Sequence, residues 1–373
     1  MMPSKIRRFT VKVLVIINVI LALLFLLSCL SPYLHPQTHW YISILGLGFA
    51  GLLISMVLMF FFWLIIQPKY SLICLIPLII GWKSISVFFA ANPISEYNFT
   101  KDPDHIRVAS WNVARFIELS RNNNKGSQTR LKMMELLKQQ NADIVCLQEF
   151  QTSTKPEYYD NIAYIQKNLG YKYFYFDFNE DGHKLFYSSI IFSRYPIISS
   201  GVVHYPRPTI PEALIHADIK VGKDTIRVYA THFQSVQFQQ EDYERIDEIT
   251  RQQDSVLQHS RSIFSKLKWG IIHRSTQADI VSTLLQDAPY PVIFCADLND
   301  VPNSYAYFKT RGDMQDAFLE KGIGIGRTFA SLSPTLRIDY IFATDHFKIH
   351  QFNREVKNYS DHYMLVADLE LKK

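Results

Sequence analysis

The chain has 373 residues, of which 48% are hydrophobic, and a formal net charge of +5 at pH 7. Six of its 39 Lys and Arg residues lie in residues 1–94, which contain no Asp or Glu, so the remaining 33 face 34 acidic residues and the rest of the chain is close to neutral. This balance excludes a general basic surface of the kind that drives non-specific nucleic-acid binding, while a local basic patch is still compatible with it.

Three apolar stretches fill the first ninety residues and predict a membrane module. Val13–Leu30 and Tyr41–Ile66 approach or exceed the roughly 20 apolar residues that cross a hydrocarbon core, so both are predicted spans. Leu72–Ala91 carries Pro77 and Lys83, and is either a third span whose lysine reaches the interface or a segment lying in the interface. A cleavable signal peptide is disfavoured for the first stretch, because no small-x-small site follows it and further apolar stretches come at once.

Basic residues around these stretches predict the orientation of the module. A KIRR cluster at residues 5–8 precedes the first stretch and Lys69 follows the second, whereas the loop Ser31–Trp40 has no Lys or Arg. By the positive-inside rule, the N-terminus and the turn at Lys69 are cytoplasmic. Three spans then place the rest of the chain outside the cytoplasm, and two spans would leave it inside. We expect a multi-pass protein of the cell membrane with its large domain on the extracytoplasmic side.

The chain after the apolar stretches predicts one α/β domain. We expect a membrane module at residues 1–94, a polar linker at 95–104 that contains Pro103, and a catalytic domain at 105–373. Helices are predicted at Gln128–Gln140 and around Tyr158–Leu169. Strands at short spacing with intervening helices indicate a mixed sheet, not a parallel Rossmann sheet.

The stretch between His232 and Pro291 has no obvious strand. It starts polar and acidic, and becomes basic and apolar around Ile263–Ile272. One interpretation is two or three helices covering a sheet face. The other is an amphipathic segment, in which Ile263, Phe264, Leu267 and Trp269 touch the bilayer beside Lys266, Lys268 and Arg274.

Short apolar runs in the large domain end on polar residues that can bind a metal or a phosphate. Runs of this length and composition are typical of buried strands. Carboxylates, amides and imidazoles are costly to bury unless they are paired or bound to something. The series therefore predicts a shared site at one edge of a sheet. Its members are Asn112, Glu149, His232, Asp297, Asn299 and Asp339, followed by Asp361 and His362 near the C-terminus.

The acidic members suit a hard divalent cation. Glu149 at a strand exit is a suitable ligand for Mg²⁺ or Mn²⁺, which prefer oxygen donors; a salt bridge or a helix cap is the alternative. Asp297 and Asn299, two residues apart in a strand, project to the same side. The carboxylate can then orient or deprotonate a water while the amide holds an oxygen, although an Asx turn explains the same letters.

The histidines can carry charge and protons. Asp339 is a plausible partner for His362, holding its ring in one tautomer and stabilising the charged form. An imidazolium beside a phosphoryl group neutralises charge that develops during attack. His232 can do the same, or donate a proton to the leaving oxygen. Taken singly, each histidine is more often a surface or core residue than a catalytic one.

Taken together and in this order, the segments resemble the endonuclease/exonuclease/phosphatase superfamily over about residues 105–371. The resembling segments are WNV at 111–113, LQE at 147–149, THF at 231–233, ADLND at 296–300, RIDYIF at 337–342 and SDH at 360–362. The resemblance implies a DNase I-like fold, a two-layered β-sandwich flanked by helices, here preceded by the transmembrane helices. It implies a membrane-anchored bacterial type of this superfamily.

The resemblance also implies a role for each residue. Glu149 would be the principal metal ligand, with Asp361 as a further metal-side acid and Asn112 as an amide serving both metal and phosphate. Asp297 would align the attacking water. The phosphate-binding set would be Asn112, His232, Asn299 and His362, and the catalytic set His232, Asp297, Asn299, Asp339 and His362.

The implied activity is hydrolysis of phosphodiester or phosphomonoester bonds by activated water, with Mg²⁺ or Mn²⁺ as cofactor. Ala296 stands where the family has glycine, and no Arg follows Asn299 as it does in the inositol-polyphosphate phosphatases, which disfavours that branch. The substrate stays open between a nucleic acid and a phospholipid or sphingolipid head group, and no protein partner is predicted. The alternative is a catalytically inactive membrane protein that uses the same fold for binding.

Overall fold

The computed structural model describes residues 4–93, 96–118, 120–121, 128–178, 184–208, 213–236 and 256–372, with the backbone alone for residues 4 and 256–260. Its N-terminal part is helical. Two of these helices, α1 and α3, are long and apolar enough to cross a membrane. The helices are α1 (Ser4–Ser28), α2 (Pro36–Leu47), α3 (Phe49–Ile66), α4 (Leu72–Ile80) and α5 (Trp82–Phe88).

The second predicted span is shorter than the sequence suggested. The span predicted within Tyr41–Ile66 is confirmed for Phe49–Ile66, which is long and apolar enough to cross a membrane; the residues before it form α2, which ends at Leu47. Between them Gly48 adopts φ −81° and ψ 1°, which is outside helical geometry. Hydropathy alone does not register such a break, since glycine is compatible with an apolar run.

The third apolar stretch is bent. The helical segments Pro68–Ile80 and Trp82–Phe88 meet at an angle of 70° around Gly81. A Cβ atom at this glycine would lie 2.8 Å from the Phe25 ring and 2.9 Å from the Cys29 Sγ atom, so the close approach of α1 requires glycine here. The stretch thus packs directly on α1 through its bend.

The large domain is a sandwich of two six-stranded mixed sheets. The first has the strand order β10-β12-β9-β8-β7-β6 and the second β13-β14-β2-β3-β5-β4. A short pair, β1 with β11, lies apart from them. The strands are β1 (Ala90–Ala91), β2 (Ile106–Asn112), β3 (Ile144–Ser153), β4 (Tyr173–Phe176), β5 (Leu185–Ser193), β6 (Ile197–His204), β7 (Ala213–Val221), β8 (Asp224–His232), β9 (Val292–Asp297), β10 (Gln315–Asp316), β11 (Ile323–Gly324), β12 (Asp339–Ala343), β13 (Phe347–Glu355) and β14 (Met364–Leu371).

Apolar side chains of both sheets fill the space between them. Val108, Cys146, Val228, Ile293 and Leu365 are among the fully buried members of this core. Helices cover the outer faces: α6 (Thr129–Gln140) and α7 (Asn161–Leu169) lie over the second sheet, and α8 (Val256–Gln286) and α9 (Tyr305–Arg311) over the first. A short helix, α10 (Ala317–Lys321), precedes β11. Two apolar outer faces, each covered by helices, explain why these strands are apolar on both sides.

The strand directions bring the predicted polar residues to one end of the sandwich. β2 runs parallel to β3, and β8 parallel to β9, so the carboxyl ends of each pair lie side by side. β12 and β14 run antiparallel to β9 and β2, so their first residues meet those ends. Asp297 accordingly pairs in register with both His232 and Asp339.

The stretch between His232 and Pro291 contains one long helix in its described part. α8 is a single helix of 31 residues, and the acidic part of the stretch at residues 237–255 lies outside the described residues. Phe264 and Trp269 of α8 are exposed, as expected for an amphipathic segment. The prediction of a surface role for Arg274 is wrong: its side chain is buried and its Nε atom donates to Asp300 Oδ2 at 3.0 Å.

Candidate active site

Asn112, Glu149 and Asp297 lie within hydrogen-bond range at the centre of the predicted site. The Asn112 Nδ2 atom donates to Asp297 Oδ2 at 2.9 Å and to Glu149 Oε1 at 3.3 Å. Its Oδ1 atom accepts from the backbone N–H of Ala114 at 3.0 Å, which fixes the amide in this orientation. Asn112 therefore presents its nitrogen to the carboxylates and holds them in place.

Two residues of the site have left-handed backbones. Glu149 has φ 48° and lies at a bulge where the register of β3 with β5 shifts between Leu147 and Phe150. Asn299 has φ 50°, and its N–H donates to Asp297 Oδ1 at 2.9 Å in an Asx turn. For Glu149 this conformation costs roughly 1–2 kcal/mol, so the surrounding fold imposes it, whereas asparagine adopts this region readily. The bulge redirects the Glu149 side chain out of the regular pleat of β3.

His362 and Asp339 form the pair that the sequence predicted. His362 Nδ1 lies 2.9 Å from Asp339 Oδ2 and 3.7 Å from Asp297 Oδ2, and all three side chains are buried. Burial alone would lower the pKa of His362, but the carboxylates of Asp339 and Asp297 outweigh it and raise the pKa to about 10. Burial, with a contribution from Asp297, raises the pKa of Asp339. The imidazolium thus forms with its Nδ1–H directed at Asp339.

His232 lies opposite this pair. Its Nε2 atom is 3.5 Å from Asp297 Oδ2, 3.7 Å from Glu149 Oε1 and 2.9 Å from Asn299 Nδ2. The Asn299 Nδ2 atom also donates to Phe233 O at 2.9 Å. His232 and Asn299 are consequently held against each other beside the two carboxylates.

A single cleft brings most of these groups to the surface. This polar cleft has a volume of about 320 Å³, and its polar lining includes Glu149, His232, Asn299, Asp361 and His362. Asn112, Asp297 and Asp339 are buried at its base. All eight predicted residues are thus brought together by six different strand ends and loops.

The donor set fits a hard divalent cation. Glu149 is 27% exposed and offers its carboxylate to the polar cleft beside Asp361. Asp297, Asp339 and His362 have ligand-type atoms that all lie within 4.8 Å of one another. Carboxylate oxygens are the donors that Mg²⁺ and Mn²⁺ prefer.

A second group of potential ligands lies at the opposite end of β2. His105, His350 and Glu370 are half-buried, and His350 Nε2 lies 2.8 Å from Glu370 Oε2. His105 precedes β2 and Asn112 ends it, so about 20 Å of strand separates this group from the polar cleft.

Sequence reasoning missed the residues that hold the site from behind. The Ser360 hydroxyl donates to Asn112 O at 2.8 Å and accepts from the N–H of His362 at 3.2 Å. The Trp111 Nε1–H donates to His362 O at 2.9 Å. Both residues stand directly beside predicted site residues in the WNV and SDH segments, and that adjacency was the available signal.

Comparisons with known proteins agree with this fold. Residues 109–362, more than half of the chain, match the family model described as the Endonuclease/Exonuclease/phosphatase family, and residues 11–88 match one described as a domain of unknown function (DUF8431). No curated protein matches the chain. The structure of an endonuclease/exonuclease/phosphatase from Beutenbergia cavernae DSM 12333 is 20% identical with a TM-score of 0.52, and the match covers 72% of each chain. This likeness confirms the predicted fold class.

Two further solved structures are more distant. The human Nocturnin catalytic domain with bound sulfate anion is 17% identical with a TM-score of 0.49, and the match covers 72% of this chain and 94% of that one. A humanized D. rerio TDP2 is 17% identical with a TM-score of 0.47, over 71% of this chain and 99% of that one.

Proposed function

Because the chain belongs to the endonuclease/exonuclease/phosphatase family, whose members are phosphoester hydrolases, we propose that it is a membrane-anchored hydrolase of phosphoester bonds that depends on Mg²⁺ or Mn²⁺. The observation that carries the proposal is the convergence of eight polar residues on one cleft. Buried carboxylates and imidazoles in such a number are costly unless a ligand or a reaction uses them.

Asp297 is the group proposed to align the attacking water. Its Oδ1 atom is held by the N–H of Asn299 at 2.9 Å, and its Oδ2 atom by the amide of Asn112 at 2.9 Å. A carboxylate fixed at both oxygens has one orientation, which favours acceptance of a proton from a water directed at phosphorus.

Asn299 and His232 are proposed to contact the phosphoryl oxygens. Asn299 Nδ2 and His232 Nε2 lie 2.9 Å apart in the wall of the polar cleft, so two hydrogen-bonding groups stand side by side there. A phosphate that enters between them replaces this contact with charge-assisted bonds, which are stronger than neutral ones.

His362 is proposed to neutralise charge in the transition state. With Nδ1–H directed at Asp339, the other ring nitrogen is the one available to the polar cleft, which His362 lines. A fixed cationic donor in a water-poor site is worth several kcal/mol to a developing negative charge, on the order of 2.7–4 for one donor.

Glu149 and Asp361 are the proposed metal ligands. When bound, the divalent ion supplies Lewis-acid stabilisation of the phosphoryl oxygens and lowers the pKa of water. Asn112, whose nitrogen faces Glu149 Oε1 at 3.3 Å, acts in this proposal by fixing the ligand and does not replace it.

Contacts with the helical module support three membrane crossings. Asn303 Nδ2 donates to Ser28 O at the end of α1, and Arg337 donates to Val87 O in α5. α3 starts at this same end and is about 27 Å long, so it ends near Lys69 on the far side. The chain must therefore return through residues 68–87 to reach Arg337. With the basic N-terminus in the cytoplasm, this arrangement supports an extracytoplasmic catalytic domain.

Labelling of single cysteines tests the orientation. All four native cysteines are buried and give little background. A membrane-impermeant maleimide should label Lys132→Cys, an exposed position on α6, in intact cells, and Lys5→Cys only after permeabilisation. The reverse pattern would contradict the proposed orientation.

Turnover of bis(p-nitrophenyl) phosphate by the full chain in detergent tests the activity. We expect hydrolysis with Mg²⁺ or Mn²⁺ that stops in EDTA, and a loss of at least about 100-fold in Asp297→Asn and in His362→Gln. The matched control is His350→Gln, a histidine also paired with a carboxylate but at the opposite end of β2. Absence of metal-dependent turnover, or near-normal rates in both site variants, would refute the proposal and leave the binding-module alternative.

A further inference from the structure

The polar cleft has apolar walls. Above its polar floor, the lining consists mainly of apolar side chains from separate parts of the chain. These include Leu47, Val236, Leu267, Phe329, Leu332 and Leu336. A small hydrophilic phosphoester would leave the apolar walls in contact with water, which is unfavourable. The walls therefore indicate a substrate with an apolar part.

One wall belongs to the membrane module. Leu47 is the last residue of α2, and the membrane-crossing helix α3 begins only two residues later, at Phe49. Beside this junction lies a further apolar groove of about 520 Å³, whose lining includes Leu45, Gly48 and Phe264. The apolar surface therefore continues from the catalytic residues to the helices that enter the bilayer.

The α8 helix lies against the same module with aromatic residues outward. Phe264 is 44% and Trp269 53% exposed. The Phe264 ring meets that of Trp40 edge-on at 5.5 Å, and Lys268 Nζ lies 4.7 Å from the Trp40 ring centre. Exposed aromatic rings mixed with lysine are typical of the boundary between bilayer and water.

The charges of the polar cleft do not favour a nucleic-acid strand. Arg274 is the only Lys or Arg among its described lining residues, and Asp300 pairs with it at 3.0 Å. Phe329 is the only Phe, Tyr or Trp of that lining, and it packs against His362 at 5.0 Å. A strand needs a basic track and stacking platforms, and neither is present in this described lining.

We propose that the substrate is the phosphoester head group of a membrane phospholipid, with its hydrocarbon chain lying along Leu47, Leu267 and Leu332. The inference rests on the proposed function. Water attacks phosphorus, its oxygen forms the new P–O bond, one ester P–O bond breaks, and the leaving alkoxide takes up a proton to become an alcohol. The other product is the corresponding phosphate, released from or retained on the lipid according to which ester bond breaks.

Hydrolysis by the full chain in nanodiscs tests the proposal. The probes are long-chain phosphatidic acid, phosphatidylglycerol, phosphatidylethanolamine, phosphatidylcholine and sphingomyelin, with bis(p-nitrophenyl) phosphate as a chain-free diester and a single-stranded DNA oligonucleotide as the nucleic acid. We expect at least one lipid to exceed both in kcat/KM. In Leu267→Gln/Leu332→Gln the ratio of lipid to chain-free hydrolysis should fall at least tenfold, and in Leu131→Gln, a 39% exposed leucine of α6, it should stay within twofold.

A crosslinking experiment in EDTA gives a readout independent of turnover. A phospholipid with a diazirine at its acyl chain should label the peptide containing residues 329–336 in the full chain, and the labelling should drop at least fivefold in Leu267→Gln/Leu332→Gln. Labels confined to the outer faces of α1 and α3 would overturn the inference.

The two proposals fail in distinguishable ways. An unchanged ratio in the double variant, or preferred cleavage of the oligonucleotide, overturns the lipid substrate while the phosphoesterase stands. Failure of every probe, including the chain-free diester, overturns both.

Discussion

The Asp339→Asn substitution isolates the charge that holds His362 in its cationic form. The side chain keeps its shape and an oxygen that accepts from the Nδ1–H of His362, now at 2.9 Å, so the ring stays in place. The negative charge is lost, and the remaining carboxylates that act on the ring are Asp297, at 3.7 Å, and Asp361. Because burial opposes the charged form and its strongest counter-charge is gone, the pKa of His362 should fall.

The pKa of His362 in the native protein gives the size of the expected effect. A pKa of about 10, against the ordinary 6.5, favours the imidazolium by roughly 5 kcal/mol. Removal of the nearer carboxylate should lower this pKa, and with it the fraction of the ring that is charged at a given pH. Loss of a charged donor at the reacting phosphoryl group should lower kcat by about 100- to 10,000-fold.

Stability should change with pH in a defined direction. The pKa of His362 is higher in the folded than in the unfolded chain, so its stabilisation is complete below about 6.5 and is lost as the pH rises through about 10. The native protein should therefore lose more thermal stability between pH 6.5 and 10 than Asp339→Asn does.

Three measurements check this prediction. Nitrogen-15 NMR of labelled histidine in EDTA reports the charge of His362, turnover reports kcat, and melting curves at several pH values report stability. Asp345→Asn is the control, because it changes an exposed carboxylate beside His346. An unchanged pKa of His362 in Asp339→Asn, or a kcat within fivefold of the native value, would refute the reasoning.

Three further substitutions test the metal site, the strained backbone and the docking of the helical module. Glu149→Gln should lower Mn²⁺ affinity at least about tenfold, or 1.4 kcal/mol, by electron paramagnetic resonance, whereas the exposed Glu135→Gln should not. Glu149→Gly removes about 1–2 kcal/mol of strain at φ 48° and adds about 0.5–1 kcal/mol of chain entropy, so it should melt at or above the temperature of Glu149→Gln; a lower value would contradict imposed strain. Arg337→Ala leaves the buried Asp316 uncompensated and removes the bond to Val87 O, so we expect a loss of about 3–5 kcal/mol in stability, and a loss under 1 kcal/mol would contradict this.

The sequence alone predicted the strands and the residues that form the site. Apolar runs that end on Asn112, Glu149, His232 and Asp297 predicted buried strands with polar exits, because local composition indicates the strands and polar groups are costly to bury unless they are paired or bound. The pairing of His362 with Asp339 was also predicted, because the side chain of the adjacent Asp361 diverges from that of His362. The paired carboxyl ends of β8 and β9 then brought Asp297 into register with His232.

Tertiary structure decided how these groups face each other and what surrounds them. The nitrogen of Asn112 faces the carboxylates because Ala114 occupies its oxygen, and the Glu149 side chain leaves the pleat because β3 bulges against β5. Arg274 is buried because Asp300, distant in sequence, pairs with it. Leu47 reaches the polar cleft only because α2 ends there, before Gly48, and the module packs on the sandwich. Local propensity and hydropathy contain none of these contacts, since each depends on a neighbour that only the folded chain supplies.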